Sequence, residues 1–224
     1  MSLKPDLLVA PCSYQAAKYA VEHWHYSRSM PAGKRLNIGV WENNEFVGGC
    51  VFGYGIQQFL GKQFGLDMTT CVELCRVALY PNHLSQVSQV VSVSLRILKA
   101  HSSGLRLVVS YADVDYDHVG GIYQAGNWIY IGKVQINGGT PKFKVNGQIL
   151  HGRQVHSLWG KGAKQIPWLR KNKDPLAEKV YTRGKHKYLY PLDRAMRRQI
   201  EPLAQPYPKR EDMRATDGST LATS

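Results

Sequence analysis

Residues 72–100, VELCRVALYPNHLSQVSQVVSVSLRILKA, constrain the fold more than any other stretch. Val72, Leu74, Val77 and Leu79 sit in a short β-prone run and predict a strand buried in a core. Pro81 and Asn82 end the run, because Pro cannot donate to a ladder and Asn tolerates turn geometry. Ser85 is then placed to cap a helix in which Val87, Val90, Val91, Leu95 and Leu98 fall at helical spacing. A helix that starts directly after a strand offers free N–H groups and a positive dipole end, which suits a phosphate.

The flanking segments predict further layers. Ser13 is placed to cap a helix over 14–23 that turns Ala16, Ala17, Ala20 and Val21 inward. Residues 23–31, HWHYSRSMP, then gather imidazoles, a Trp, a Tyr and an Arg at the helix end, a density that reads as a site. Segments 36–42 and 46–54 predict a hairpin about Asn43-Asn44. The glycines in VGGCVFGYG mark a bulge or the close approach of a ligand or another backbone. Residues 56–70 carry no strong pattern. Beyond the opening unit, 105–111 predicts a buried strand leading into the acidic loop ADVDYDH. Next come a short helix over 122–126, a strand over 128–134, a hairpin over 140–150 about Asn146-Gly147, and a short helix over 153–160. This order predicts an α/β (α+β) chain with a central mixed sheet flanked by helices.

Charge adds a partner. The net charge is +13, with 14 Lys and Arg against 9 Asp and Glu in residues 1–160, and 15 against 7 in residues 161–224. That gradient favours a polyanionic partner, nucleic acid first. It also predicts a domain over 1–160, a basic DNA-contacting extension packed on it over 161–214, and a disordered tail over 215–224. Within the extension, TRGKHKYLYPL (182–192) interleaves cations with tyrosines, which suits phosphates and unstacked bases. A charged arm wrapped on its own domain is the alternative. Cys12, Cys50, Cys71 and Cys75 form no CxxC and no zinc-finger spacing, so they read as reduced thiols of a cytoplasmic protein. There is no signal-peptide pattern and no apolar run long enough to cross a bilayer.

With the strand–turn–helix at 72–100, the strand at 105–111 and the segment 120–132, the chain resembles the GNAT N-acyltransferase fold. In that fold a strand, turn and helix hold the pyrophosphate of acetyl-CoA through backbone N–H groups, and a Tyr on a later helix serves the leaving thiolate. The turn here, YPNHLSQVS, has no Gly, which departs from the usual loop. The motifs WHYSR (24–28), ELCRVAL (73–79), SYAD (110–113), GGIYQAGNWIYIG (120–132) and KHKYLYP (185–191) are together similar to the Mom family of phage DNA-modification proteins. The resemblance covers most of residues 15–191. It implies an enzyme of the phage-infected host cytoplasm that converts adenine in duplex DNA to a form with an acetamido-type (carbamoylmethyl) group on its exocyclic amine, protecting phage DNA from restriction. Acetyl-CoA and iron are the implied cofactor and metal. An ordinary N-acetyltransferase acting on a small amine or protein, and a non-catalytic DNA-binding protein on the same scaffold, are the alternatives. The sequence leaves the oligomeric state open, a homodimer included.

The same resemblance implies residue roles. His25 and Tyr26 fall at the family's His-Tyr pair, suited to proton transfer or to iron. Glu73 and Arg76 stand three apart on the key strand and are expected on opposite faces. Ser110, Tyr111 and Asp113 end a strand, the usual place for ligand groups in such sheets, with Asp113 a candidate base or metal ligand. Asp115 and Asp117 read as solvated loop acids. Tyr123 falls at the thiolate-side position. Val77, Leu79, Ser85, Gln86, Val87 and Ser88 are the expected cofactor contacts. Arg28, Lys34, Arg35, Lys142, Lys144, Arg153, Lys185, His186 and Lys187 are expected to hold the DNA backbone. An extruded base is expected to stack on Trp24, Tyr26 or Tyr111.

Overall fold

In the computed structural model, residues 4–54, 60–134, 142–160, 165–180 and 183–210 are described, without the side chains of His151 and Arg153. The opening unit forms as β4 (Cys71–Leu79) and α2 (Val87–His101). Val90, Val91, Leu95 and Leu98 of α2 are buried against Val72 and Leu74 of β4 and Val108 of β5 (Leu107–Asp113). Each such side chain contributes about 1.5–3 kcal/mol relative to exposure. The expected cap differs, because Gln86 is the N-cap residue and makes no side-chain capping bond. Ser85 lies one residue too early to reach the first turn.

Before this unit, β1 (Leu7–Pro11) leads to α1 (Tyr14–Trp24), where Ser13 accepts from the Ala16 N–H at 3.1 Å as expected of a cap. The hairpin β2 (Arg35–Glu42) and β3 (Glu45–Gly53) turns at Asn43 and Asn44, both at positive φ. Gly48 of β3 has φ 137°, and a Cβ there would meet the Ala78 carbonyl oxygen of β4 at 2.1 Å, so the glycine serves backbone approach. Residues 60–70 are more structured than their sequence suggests. Within them, a 3-10 turn at Lys62–Phe64 buries Phe64.

After β5 come α3 (Gly121–Gln124) and β6 (Ile129–Val134). The large sheet has the order β1-β2-β3-β4-β5-β10-β6, where β10 is Lys185–Pro191. The KHKYLYP segment is therefore an interior strand and not part of an arm. His186, Lys187, Tyr188 and Leu189 are all buried. Arg194–Ile200 follows as a helix, and its N-cap Asp193 pairs with Arg106 at 2.8 Å.

The chain forms two compact units, one of residues 1–112, 119–132 and 186–224, the other of 113–118 and 133–185. A boundary at 160 is thus corrected. The basic character of 161–214 is continuous along the sequence, yet its last part supplies a core strand. The expected tail over 215–224 lies outside the described residues. In the second unit β7 (Lys142–Val145) pairs with β8 (Gln148–His151) across the Asn146-Gly147 turn, and with a third strand, Glu178–Val180. Phe143, Val145, Val155, Leu169 and Ala177 form its core under two helices, Gly152–Trp159 and Ile166–Asn172. Asp115 and Asp117 are not merely solvated: Lys142 and Arg183 pair with them at 2.7 and 2.9 Å.

Candidate functional site

The parallel ladder between β4 and β5 runs through Cys71↔Leu107, Val72↔Val108 and Glu73↔Val109. At the next position Ser110 Oγ lies 2.8 Å from the Leu74 carbonyl, so a side chain takes over from the ladder. The same Oγ lies 2.7 Å from the Tyr123 hydroxyl. A carbonyl only accepts, and a serine has one proton to give. The Ser110 proton therefore goes to Leu74, and Tyr123 donates to Ser110. Should Tyr123 lose its proton, Ser110 can turn its own from Leu74 to the phenolate. Ser110 is fully buried and Tyr123 nearly so. Burial, with the neighbouring charges of Tyr26, Cys50 and Glu73, pushes the Tyr123 phenol far above its ordinary value against the pull of Ser110. Tyr123 stays protonated at neutral pH and is a proton donor in waiting.

What holds Tyr123 is aromatic. Its ring lies 5.0 Å from Trp128 and 5.1 Å from Tyr188 of β10. Gly120, at φ 78°, precedes α3, and a Cβ there would meet the Tyr188 ring at 2.4 Å. The GGIY motif thus packs its helix directly on β10. Gln124 extends the clasp by donating to the Val119 carbonyl at 2.9 Å and to the Tyr188 hydroxyl at 3.1 Å.

Loop 25–29 is pinned by Arg76, whose Nε donates to the Ser29 carbonyl at 3.0 Å. The expectation that Glu73 and Arg76 face apart is corrected. Val51 pairs with Arg76 and Phe52 with Leu74, so Cys75 is the extra residue of a bulge. Val72, Leu74, Val77 and Leu79 all serve the α2-side core, which returns Glu73 and Arg76 to the opposite side together. His25 is buried, and its Nδ1 accepts the Ser27 N–H at 3.1 Å with the Ser27 hydroxyl at 2.8 Å. In the neutral ring the proton then sits on Nε2. Tyr26 is 40% exposed, with its ring 4.2 Å from that of His25.

Among the described residues no group of three or more His, Cys, Asp and Glu could hold a metal. His25 and Tyr26 alone do not make the expected iron site. Asp113 is in the second unit, where it caps the following turn through the Asp115 N–H and pairs with Lys185 at 3.3 Å. Trp24 packs at 5.6 Å from Tyr80, and Tyr111 packs against the core cluster that contains Leu107 and Val109. Of the three stacking candidates Tyr26 is the exposed one.

The backbone-holding set is also corrected in part. Lys142 is buried on Asp115, and His186 and Lys187 are buried in β10. Burial pushes the Lys187 amine below its usual value. Arg28 caps the end of α1 through the Glu22 carbonyl, Arg35 lies over the Tyr14 ring, and Lys144 pairs with Glu178 at 3.3 Å. Lys34 is exposed.

A groove of about 460 Å³ runs along α2, lined by Gln86, Ser88 and Gln89, by Gly126 and Asn127 after α3, and by Arg197. Leu84 and Ser85 are not in that lining. Their N–H groups donate to the two carboxylate oxygens of Glu42, each at 2.7 Å. Glu42 ends β2 and is 5% exposed. Against the upward push of burial, those amides and nearby His83 hold its carboxyl below the usual value, so it is charged. A diphosphate brought within about 4 Å would meet repulsion of about 4 kcal/mol per unit charge at an effective dielectric near 20. The Leu84 and Ser85 N–H groups are occupied by Glu42, and the expected contact through the Ser85 amide is therefore taken. Sequence reasoning missed Glu42 because a lone acid beside an Asn-Asn turn reads as solvated.

Comparison with known proteins decides the lineage. A family model for the Mom protein family matches residues 6–209. The chain belongs to the Mom family. Against the methylcarbamoylase mom of Escherichia phage Mu, it is 25% identical over 210 residues, covering 91% of this chain and 84% of that one. All the motifs from WHYSR to KHKYLYP lie inside the Mom match. Among solved structures, a putative acetyltransferase from Acinetobacter baylyi aligns at a TM-score of 0.48 and 12% identity, over 93% of this chain and 100% of that one. A putative acetyltransferase from Salmonella typhimurium with its cofactor acetyl-CoA aligns at 0.46 and 11%, over 84% and 95%. No helix among the described residues of this Mom protein is long and apolar enough to cross a membrane.

Proposed function

We propose that this protein is a transferase that places a carbamoylmethyl group on the exocyclic amine of adenine in duplex DNA, and that the product shields phage DNA from restriction. Family membership across residues 6–209 carries the reading, together with a relative named as a methylcarbamoylase. The Ser110–Tyr123 pair where β4 and β5 part supports it. The target nitrogen is stacked inside the duplex, so the base swings out at a cost of a few kcal/mol. Tyr26, exposed beside His25, is the stacking face for it.

As the new C–N bond forms, the amine must lose a proton, and Glu73 is the candidate base. The bond from the transferred carbon to its donor breaks, and the departing group takes the Tyr123 proton. Ser110 then stabilises the phenolate by redirecting its own. His25, with its proton on Nε2, is placed to donate to the base or to the amide of the incoming group. Acetyl-CoA, the donor that the resemblance implies, meets a loop already filled by Glu42, and these roles hold for any donor of the transferred carbon.

DNA is held by exposed cations. The second unit carries 12 Lys and Arg against 5 Asp and Glu, net +7, the densest positive charge in the chain. Its exposed Lys171 and Lys173 are its phosphate contacts in place of the buried Lys142; in the first unit Arg28 and Lys34 are exposed, whereas Lys187 is buried.

Restriction digestion tests the reading. DNA from cells expressing the protein should resist endonucleases whose sites contain adenine and remain open to those whose sites lack it. The Tyr123→Phe variant should restore cleavage. Equal cleavage of all DNA would reject the proposal.

A further inference from the structure

We infer that Glu42 closes the diphosphate site of this fold from within, so that the donor of the transferred group is recognised without a CoA diphosphate. The inference rests on the transferase reading only in calling the ligand a donor. Three observations carry it. First, the Leu84 and Ser85 amides, in the loop that leads to α2, are saturated by one carboxylate, with both oxygens used at 2.7 Å. Second, that carboxylate is buried, so it is part of the fold and not a passing surface contact. Third, the groove along α2 passes Gln86, Ser88 and Gln89 but not Leu84 and Ser85, whose amides face Glu42.

His83 reinforces the closure. Its Nδ1 lies 2.8 Å from the Ser85 carbonyl, which fixes the loop in the conformation that presents its amides to Glu42. The loop also lacks glycine, so it has no ready way to turn those N–H groups towards the groove. What the groove still offers is hydroxyl and amide groups from Ser88, Gln86, Gln89 and Asn127, with the single cation Arg197 among its lining residues. That chemistry fits a small polar or singly charged donor better than one carrying a diphosphate and a further phosphate.

Calorimetric titration separates the possibilities, using the full-length protein without DNA so that no turnover is involved. The probes are CoA and pantetheine, which share the thiol arm and differ in the diphosphate nucleotide. Wild type should bind both with similar weak affinity. Glu42→Ala, which empties the two amides, should favour CoA over pantetheine by about tenfold. Glu42→Gln should move in the same direction by less, and serves if the alanine variant does not fold. A merely structural Glu42 would change the stability of the variants without moving the CoA-to-pantetheine ratio, and that result overturns the inference. Wild type that prefers CoA by tenfold or more overturns it with no variant needed. Adenine modification itself would stand in either case, because it is scored separately on DNA.

Discussion

Tyr123 and Ser110 show how a single residue's surroundings decide its chemistry. A phenol buried among Trp128 and Tyr188 keeps its proton, and a serine with two acceptors in reach can follow that proton when it leaves. Tyr123→Phe should lower kcat by about 10²–10³-fold while leaving KM for DNA within twofold or so. Single-turnover kinetics on a duplex substrate would measure both. Asp193 gives a second prediction at this scale. The Arg106 guanidinium, outweighing partial burial, brings its carboxyl down to about 2. The folded value lies below the unfolded one, so this pair adds stability above about pH 4 that is lost as pH falls towards 2. Because the pair is partly exposed, on the order of 1 kcal/mol is expected. Acid denaturation of Asp193→Asn should show that much less pH dependence in this window. That Tyr123 and Ser110 meet joins two residues that the SYAD and GGIY motifs single out. Glu42 could not be singled out in this way, because its partners lie 42 and 43 residues on, and sequence shows its neighbours only along the chain.

At the scale of elements, local chemistry was the most legible. Ser13, Asn43-Asn44 and Asn146-Gly147 act as cap and turns because their demands are met within a few residues. Ser13→Ala should cost about 1 kcal/mol in denaturant unfolding. The bulge at Cys75 was illegible, since alternation assumes a regular pleat and one extra residue reverses it. That residue decides that Arg76 and Glu73 share a side. Gly120 belongs here as well, where a turn and a close approach coincide. Gly120→Ala must either strain a positive φ or push Tyr188 away from α3. It should cost more than about 2 kcal/mol and reduce activity beyond the loss of stability. A variant with wild-type unfolding and activity would contradict the clasp.

For the whole molecule, charge proved a poor guide to organisation. Residues 161–224 share a basic character, but β10 inserts between β5 and the edge strand β6 of the large sheet. Such pairing over long sequence separation leaves no local trace, and Tyr and Leu in KHKYLYP fit a strand as well as an arm. A chain ending at residue 184 should therefore fail to fold, as judged by circular dichroism; a folded fragment would contradict the topology. Replacing Lys171 and Lys173 together with Gln should reduce the log–log salt slope of DNA binding by about two. The same pair of changes at Lys185 and Lys187 should destabilise the protein instead. The central claim is tested most directly by tandem mass spectrometry of nucleosides from a duplex incubated in cells expressing the protein. The expected product is a deoxyadenosine heavier by one carbamoylmethyl group in place of a hydrogen, with the added mass on the exocyclic nitrogen, and none with Tyr123→Phe. Unmodified deoxyadenosine, or the same mass on another base, would contradict it.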